Sequence, residues 1–286
     1  MPPVTAIRDA LTYIARFRGR LVVIKVDDSI LESPMARILV QDIVLMRRLG
    51  INSVVVAGAR NVINRALKRA AISSLYHRGL RVTTDAMMDH VMHAVSVLNT
   101  RLMSLFSECG GQAASGNWIQ SRSLGIVEGV DYGRSGSVER VDNKLIRALI
   151  DREVVPIVST IGWNTVGTVY NLGSDDLAIA IATTMQAAKL FVVTDAPGIM
   201  SPRSSQEQAA NPPRRISGAY STITVEEAVA LEDSNSAMDN TTRGLLRMAV
   251  AACRSGVERV HVVDGTRDGV LLEEVFSAGG SGTMVY

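Results

Sequence analysis

The chain has 286 residues, enough for one large α/β domain or two smaller lobes with a substantial core. Hydrophobic residues make up 47% and aromatic residues only 4%, a balance that favours helix-covered sheets over an all-β sandwich. The formal net charge is +2, from 30 basic and 28 acidic residues interspersed along the chain. Because nucleic-acid binding relies on a concentrated basic face, we do not expect a nucleic-acid partner.

The cysteines and the N-terminal sequence indicate the cellular compartment. Cys109 and Cys253 are the only two cysteines and lie far apart, which fits a reducing compartment and not a disulfide framework. The N-terminal sequence lacks the apolar run of a signal peptide, and no stretch reaches the ~20 apolar residues of a membrane span. We therefore expect a cytoplasmic protein with no membrane partner.

The first half of the chain alternates helix and strand patterns. The predicted helices are 7–17, 34–49, 62–71, 85–108 and 142–153, and the predicted strands are 20–25, 53–57 and 154–159. This order favours a mostly parallel sheet with right-handed crossovers. VDDSILESPMA is predicted as a turn in which Pro34 opens the next helix. The glycine-punctuated segment 117–141 is predicted as small antiparallel strands or hairpins, placed to cover a site.

The second half is organised around residues 170–200. This stretch reads as a polar turn, a buried helix from Asp175 to about Gln186, and an apolar strand from Leu190 to Thr194. Because ligands bind at the carboxyl ends of strands in open α/β sheets, we expect Asn171, Asp175 and Asp195 at one rim. The remaining predictions are an exposed loop at 201–215, helices at 241–255 and 270–276, and strands at 259–263 and 283–286.

The residue types at this rim suggest phosphate chemistry. Backbone N–H groups at a helix start bind phosphate, and a lysine at a strand end, here Lys25, can stabilise negative charge during phosphoryl transfer. The chain contains none of the GxxxxGK[ST], GxGxxG and GxSxG motifs, and its four histidines suggest no metal site. A nucleotide-dependent transfer is therefore indicated only weakly.

Seven segments resemble the amino-acid kinase family, in family order and along nearly the whole chain. The resemblance is strongest to the N-acetylglutamate kinase and N-acetylglutamate synthase branch. The segments are YIARFRGRLVVIK, LGINSVVVAGARNVI, GLRVTTDAMM, SGNWIQ with EGVDYGRSGSVERVD, VYNLGSDDLAIAIA, KLFVVTDAPGIM, and ACRSGVERVHVVDG with LLEEVFSAGGSGTMV. The resemblance implies a single three-layer αβα sandwich with a mainly parallel sheet. It also implies a helical arm at 1–19, an acyl-amino-acid lobe at 20–153 and a nucleotide lobe at 154–286.

The resemblance also implies roles for individual residues. Lys25 matches the lysine that stabilises the transferring phosphoryl group, and Asp175 the aspartate that organises the catalytic lysines. The implied substrate-binding residues are Gly58, Ala59, Arg81 and Asn171, with Arg81 facing the α-carboxylate. Thr194, Asp195 and Gly198 match the loop that lines the nucleotide pocket, and ATP and Mg²⁺ are the implied cofactors.

Three features depart from the kinases of the family. Asp27 and Asp28 stand where those kinases have two glycines, and carboxylates repel phosphates. The carboxyl-terminal catalytic lysine has no clear equivalent in SAMDNTTRGLL, where Arg243 is nearby. The amino-acid sequences of several segments are closer to those of bacterial synthases, which carry an acetyltransferase domain after this one. Since the sequence ends at Tyr286, we expect any acetyltransferase to be a separate partner.

The carboxyl end resembles the arginine-feedback site of arginine-sensitive members. His261, Glu274 and Gly282 match positions implicated there, so arginine is a candidate effector. The first helix resembles the arm that interlaces dimers into hexamers, and a helix packed on its own subunit is an equal alternative. The resemblance thus implies a homo-oligomer.

Three functions remain open from the sequence. The favoured one is ATP-dependent phosphorylation of the side-chain carboxylate of N-acetylglutamate or a related amino acid. The alternative is an inactive domain that binds arginine or another amino acid as the regulatory part of an N-acetylglutamate synthase system. The third is a structural oligomer former with a fossil site, which the joint retention of Lys25 and Asp175 disfavours.

Overall fold

The computed structural model describes residues 4–200, 218–234, 238–276 and 280–286. The loop predicted at 201–215 lies outside these ranges. In chain order the elements are α1 (Val4–Phe17), β1 (Leu21–Val26), α2 (Asp28–Leu31), α3 (Met35–Arg48), β2 (Asn52–Ala57), α4 (Arg60–Arg69), β3 (Leu75–His77), β4 (Leu80–Val82), α5 (Asp85–Glu108), β5 (Gln112–Ser115), β6 (Ile119–Ser123), β7 (Ile126–Val127), β8 (Val130–Asp131), β9 (Ser135–Val141), α6 (Asn143–Asp151), β10 (Val154–Val158), β11 (Ile161–Trp163), β12 (Val169–Leu172), α7 (Ser174–Thr184), β13 (Lys189–Thr194), β14 (Thr222–Ile223), α8 (Val225–Ser234), α9 (Asn240–Arg254), β15 (Val260–Asp264), α10 (Val270–Phe276) and β16 (Thr283–Val285).

A central sheet of eight strands has the order β14-β16-β15-β13-β1-β2-β10-β5. Its neighbours run parallel except for β15 and β16, which are antiparallel. On the central strand β1, Lys25 is paired with Val56 of β2 and Val192 of β13. Parallel pairing brings the carboxyl ends of these three strands to one edge, where the predicted site residues cluster.

Helices cover both faces of this sheet. Each face of the sheet packs against helices to form a hydrophobic core. Alternate residues of β1 lie in the two cores, with Val23 in one and Ile24 in the other. The first core includes Ile181 and Leu246, from α7 and α9, and the second includes Phe106 of α5, all fully buried. Each such side chain contributes roughly 1.5–3 kcal/mol by leaving water. The prediction of a three-layer αβα sandwich is confirmed.

A second, smaller sheet lies beside the cleft described below. Strands β11, β12, β9 and β6 close into a four-stranded barrel. It is tied to the start of α5 through Gly133, whose φ is +55° and where a Cβ would lie only 2.5 Å from the Thr83 carbonyl oxygen. The next residue, Arg134, donates its backbone N–H to that same oxygen at 2.7 Å. This contact fixes the barrel against β4.

The structure corrects several local predictions. Residues 28–31, predicted as part of a turn, form the helical turn α2, and α4 begins at Arg60 instead of residue 62. Strands β3, β4, β5, β11 and β14 were not predicted, because such short elements lack a resolvable period, and the ten-residue helix α8 was also missed. Helix α1 packs against α10 of the same chain, and its role as a subunit arm stays a prediction. Within the described ranges, no helix combines the length and apolar character that crossing a bilayer requires.

Candidate functional site

A cleft of about 800 Å³ opens between the barrel and the helices α4, α7 and α9. Its wall combines the turn before α4, the β3–β4 hairpin, barrel strands and the facing sides of α7 and α9. The polar and charged lining residues that matter below are Arg60, Tyr76, Arg81, Ser135, Thr160, Asn171, Asp175, Arg243 and Arg247. The predicted residues Ala59, Arg81, Asn171 and Asp175 are therefore brought together.

Arg81 is a buried cation in this wall, with 7% of its surface exposed. Its guanidinium donates hydrogen bonds to Ser74 Oγ and to Asn64 Oδ1, the latter at 2.7 Å, and lies 4.7 Å from the centre of the Tyr76 ring. Burial lowers the pKa of Arg81, but a guanidinium remains charged at neutral pH. Since these partners are all neutral, the site favours an anionic ligand such as a carboxylate.

Asn171 belongs to a polar network beneath the cleft. Its Nδ2 donates to Thr83 Oγ1 at 3.0 Å, and that hydroxyl in turn donates to Ser135 Oγ at 2.9 Å. Ser135 Oγ also contacts the Arg81 carbonyl oxygen, so the network fixes the strand that carries Arg81. Nearby, Thr160 Oγ1 is buried without a hydrogen-bond partner among the described residues. That hydroxyl is available to a ligand in the cleft.

Lys25 lies at the end of β1 with 5% of its surface exposed. Its Nζ is 2.6 Å from Asp27 Oδ1 and 3.0 Å from Asp175 Oδ1. Burial alone would lower the pKa of Lys25, but Asp175 and Asp27 outweigh that effect and hold the pKa above its usual value. The ammonium is therefore charged, and two carboxylates already compensate it.

Gly58 lies behind the cleft wall and not on it. A Cβ at this position would lie 3.0 Å from the Val26 carbonyl oxygen and 3.4 Å from Asp27 Cα. Its own N–H donates to the Val26 oxygen at 2.8 Å. Gly58 thus lets the turn after β2 approach the turn after β1, while Ala59, the next residue, reaches the cleft.

The residues predicted for the nucleotide loop do not line the cleft as the described residues form it. Thr194 is buried at the end of β13, and Asp195 is exposed beside it. Gly198 has φ of +128°, and a Cβ there would lie 2.7 Å from Thr283 Oγ1. The close approach to β16 therefore explains this glycine without a nucleotide.

The predicted arginine residues form a second buried cluster, between β15 and α10. His261 Nδ1 lies 2.6 Å from Glu274 Oε1, and Glu274 Oε2 accepts the backbone N–H groups of Ser281 and Gly282, the latter at 3.1 Å. Burial would raise the pKa of Glu274, but hydrogen bonds from His261, Ser281 and Gly282 outweigh it and bring the pKa to about 2. Burial lowers the pKa of His261, so the neutral imidazole donates from Nδ1.

A lysine that was not predicted stands beside this cluster. Lys189, the first residue of β13, is 7% exposed, and its Nζ lies 4.9 Å from the centre of the Phe17 ring. Burial lowers its pKa to about 8, an effect that the charge of Glu274 partly offsets. The cluster therefore presents a carboxylate and an amine of opposite charge.

Three arginines of the cleft wall, Arg60, Arg78 and Arg247, were not predicted. Arg60 lies 5.4 Å from the Tyr76 ring, and Arg247 stands on α9 one turn after Arg243. Arg243 and Arg247 have an i, i+4 spacing that was visible in the sequence, and this spacing puts both on one face of α9. The sequence does not show that this face of α9 lines the cleft, because the packing of α9 depends on contacts between residues distant in sequence.

Comparison with known proteins gives the family. The amino acid kinase family profile matches residues 20–264. This chain belongs to that family. An amino-acid acetyltransferase of Aeromonas salmonicida is 32% identical over 291 residues, covering 99% of this chain and 64% of that protein. The chain thus spans less than two thirds of the length of this relative.

Two solved structures support the same placement within the amino acid kinase family. N-acetylglutamate synthase from Neisseria gonorrhoeae, in complex with coenzyme A and N-acetyl-glutamate, is 29% identical with a TM-score of 0.87 and covers 99% of this chain and 63% of its own. The same enzyme with coenzyme A and L-arginine is 28% identical with a TM-score of 0.87, covering 99% of this chain and 65% of its own. The amino acid kinase fold of this chain is therefore the one found in that synthase.

Proposed function

We propose that this chain is an arginine-binding regulatory domain of an N-acetylglutamate synthase system and that it does not transfer phosphate. The observation that carries the proposal is Glu274, a buried carboxylate kept ionised by three donors. The relatives named as amino-acid acetyltransferases, and the N-acetylglutamate synthase structure that contains L-arginine, support it. This was the alternative from the sequence, and it is preferred to the kinase.

The Glu274 cluster suits arginine by charge and by geometry. A carboxylate has about four acceptor positions, and Oε1 of Glu274 accepts the hydrogen bond from His261. The planar guanidinium pairs well with a carboxylate of fixed orientation. A ligand that carries a guanidinium and a carboxylate finds complementary charges in Glu274 and Lys189.

The environment of Lys25 argues against phosphoryl transfer. In a kinase this lysine must neutralise charge on the transferring group. Here Asp27, which stands where the kinases have a glycine, already pairs with the lysine, and a phosphate placed nearby would meet its carboxylate as well as that of Asp175. ATP and Mg²⁺ are accordingly no part of this proposal.

The cleft supports binding of a carboxylate ligand without chemistry. Arg81 is a buried cation with neutral partners, and the unpartnered Thr160 hydroxyl lies in the same wall. We infer that N-acetylglutamate or a related acylated amino acid binds here without being phosphorylated.

The remaining partners are also proposals. The names of the relatives support an acetyltransferase as the regulated partner, whether in the same chain or a separate one. Helix α1 has a half-exposed apolar residue, Leu11, at 59% exposure. Single exposed apolar residues are common on monomers, so the proposed homo-oligomer rests on the resemblance of α1 to the subunit arm of the family.

Thermal unfolding with L-arginine and L-citrulline tests the proposal. Citrulline replaces the guanidinium by a neutral urea of nearly the same shape, so it cannot form an ion pair with Glu274. We expect arginine to raise the melting temperature in a saturable manner and citrulline to have a much smaller effect. Equal effects of the two ligands, or none from arginine, would refute the proposal.

A further inference from the structure

The start of α4 is held by a side chain from a different part of the chain. Ala59, the residue before α4, makes no side-chain cap, yet the first N–H groups of a helix need partners. Asp28 supplies one, because its Oδ2 accepts the Val62 backbone N–H at 2.8 Å. Its Oδ1 accepts Asn61 Nδ2 at 2.9 Å. A carboxylate from α2 therefore caps a helix 33 residues away in sequence.

This carboxylate is enclosed. Asp28 is 2% exposed, and the turn before α4 is pressed against it, with Gly58 so close that a Cβ would lie 3.5 Å from the Asp28 backbone nitrogen. Burial raises the pKa of Asp28, while the hydrogen bonds from Val62 and Asn61 lower it. The Asp28 carboxylate is therefore a buried helix cap, held by the donors of Asn61 and Val62, and not a solvent-exposed one.

The position has the properties of an anion site. A helix start carries partial positive charge and free N–H donors, which attract carboxylate or phosphate equally well. Three residues before Asp28, near the end of β1, lies Lys25, whose ammonium is paired with Asp27. Adjacent carboxylates of one turn thus occupy two groups that would otherwise attract an anion, the Lys25 ammonium and the start of α4.

We propose that Asp28 is an internal anion that occupies the anion-binding position at the start of α4 and thereby closes that position to phosphate groups. It also positions the cleft wall, because Ala59 and Arg60 at the start of α4 line the cleft. The proposal does not rest on arginine binding, so the failure of either leaves the other standing.

Chemical rescue with inorganic phosphate tests the proposal. Asp28→Ala leaves a carboxylate-sized space lined by donors, and loss of a cap lowers the melting temperature by about 3–6 °C. We expect phosphate to restore at least half of that loss in a saturable manner, measured against sodium chloride of equal ionic strength. The wild-type protein and Asp28→Asn, in which the position stays filled, should respond by less than about a quarter as much.

Asp142→Ala is the matched control. Asp142 caps α6 through the Leu145 N–H at 3.0 Å, but it is exposed. Its loss should lower the melting temperature without rescue by phosphate. Equal responses of wild type and Asp28→Ala, or no rescue of Asp28→Ala, would overturn the proposal. If Asp28→Ala does not fold, the refolding yield of Asp28→Ser with and without phosphate decides, with a higher yield in phosphate expected and an unchanged yield contradicting it.

Discussion

Lys25 and Asp27 form an ion pair inside the protein, with 2.6 Å between Nζ and Oδ1. The pair lies at the end of the central strand β1. In a kinase of the family, Lys25 would there neutralise the charge of the transferring phosphoryl group. Asp175 approaches the same Nζ at 3.0 Å from the start of α7. The lysine that first suggested kinase chemistry is thus in contact with two carboxylates.

The first prediction is the absence of phosphotransfer. Purified protein with MgATP and N-acetylglutamate, glutamate or aspartate should release ADP no faster than its Lys25→Ala variant, because Lys25 is already neutralised. A coupled ADP-release assay measures this. Turnover clearly above the Lys25→Ala background would restore the kinase interpretation.

The second prediction concerns the stability that Lys25 provides. Lys25→Met leaves Asp27 and Asp175 near each other without their shared cation, so the free energy of unfolding should fall by roughly 1–3 kcal/mol at pH 7. Urea unfolding measures the loss. Lys68→Met, on the exposed side of α4, is the control and should change stability by less than about 0.5 kcal/mol. Equal effects of both variants would show that the ion pairs contribute nothing.

The third prediction follows from the low pKa of Glu274, about 2 against an ordinary value of 4.5. A depressed carboxyl pKa stabilises the folded state above pH 4.5, and this contribution is lost as the pH falls through 2. Glu274→Gln should therefore be less stable than wild type by ~3 kcal/mol at pH 7. The difference should shrink between pH 4.5 and 2, as followed by urea unfolding. A pH-independent difference would mean that the charge of Glu274 is not what stabilises the cluster.

The fourth prediction has the opposite sign and concerns Asp42 on α3. Burial raises its pKa from 3.8 to about 6, and the charge of Asp268 adds to the effect. The ionised carboxyl therefore destabilises the folded state above pH 6. Asp42→Asn should be more stable by roughly 1 kcal/mol at pH 7, a gain kept small because part of the carboxyl reaches solvent.

The pH dependence of Asp42→Asn provides its check. The gain should decline as the pH falls from 6 and vanish below about 3.8, where both states hold the proton. Asp151→Asn, at the exposed end of α6, is the control and should change little at any pH. A destabilised Asp42→Asn at pH 7 would contradict the prediction.

The sequence predicted the layers of the fold better than the details of its edges. Alternating apolar strands and amphipathic helices indicated a parallel sheet covered on both faces, which the structure has. The barrel of β6, β9, β11 and β12 was not foreseen, because its closure depends on distant pairs such as Gln120 with Trp163 and because short strands give little periodicity. Local pattern thus gave the elements, and non-local contacts decided their assembly.

The candidate site shows the same division. The resemblance placed Arg81, Asn171 and Asp175 in one region, and the cleft brings them together. The resemblance also placed Asp27 and Asp28 where the kinases of the family have two glycines. The structure pairs Asp28 with Asn61 and Val62, contacts that no local pattern encodes. The hydrogen-bond partners of Asp28 could therefore not be predicted from the sequence alone.

The most direct measurement of the central claim is calorimetric titration of the wild-type protein, in separate runs, with L-arginine and with MgATP. The account predicts saturable binding of arginine, at least tenfold weaker in Glu274→Gln, and no detectable binding of MgATP. Binding of MgATP without binding of arginine would contradict it.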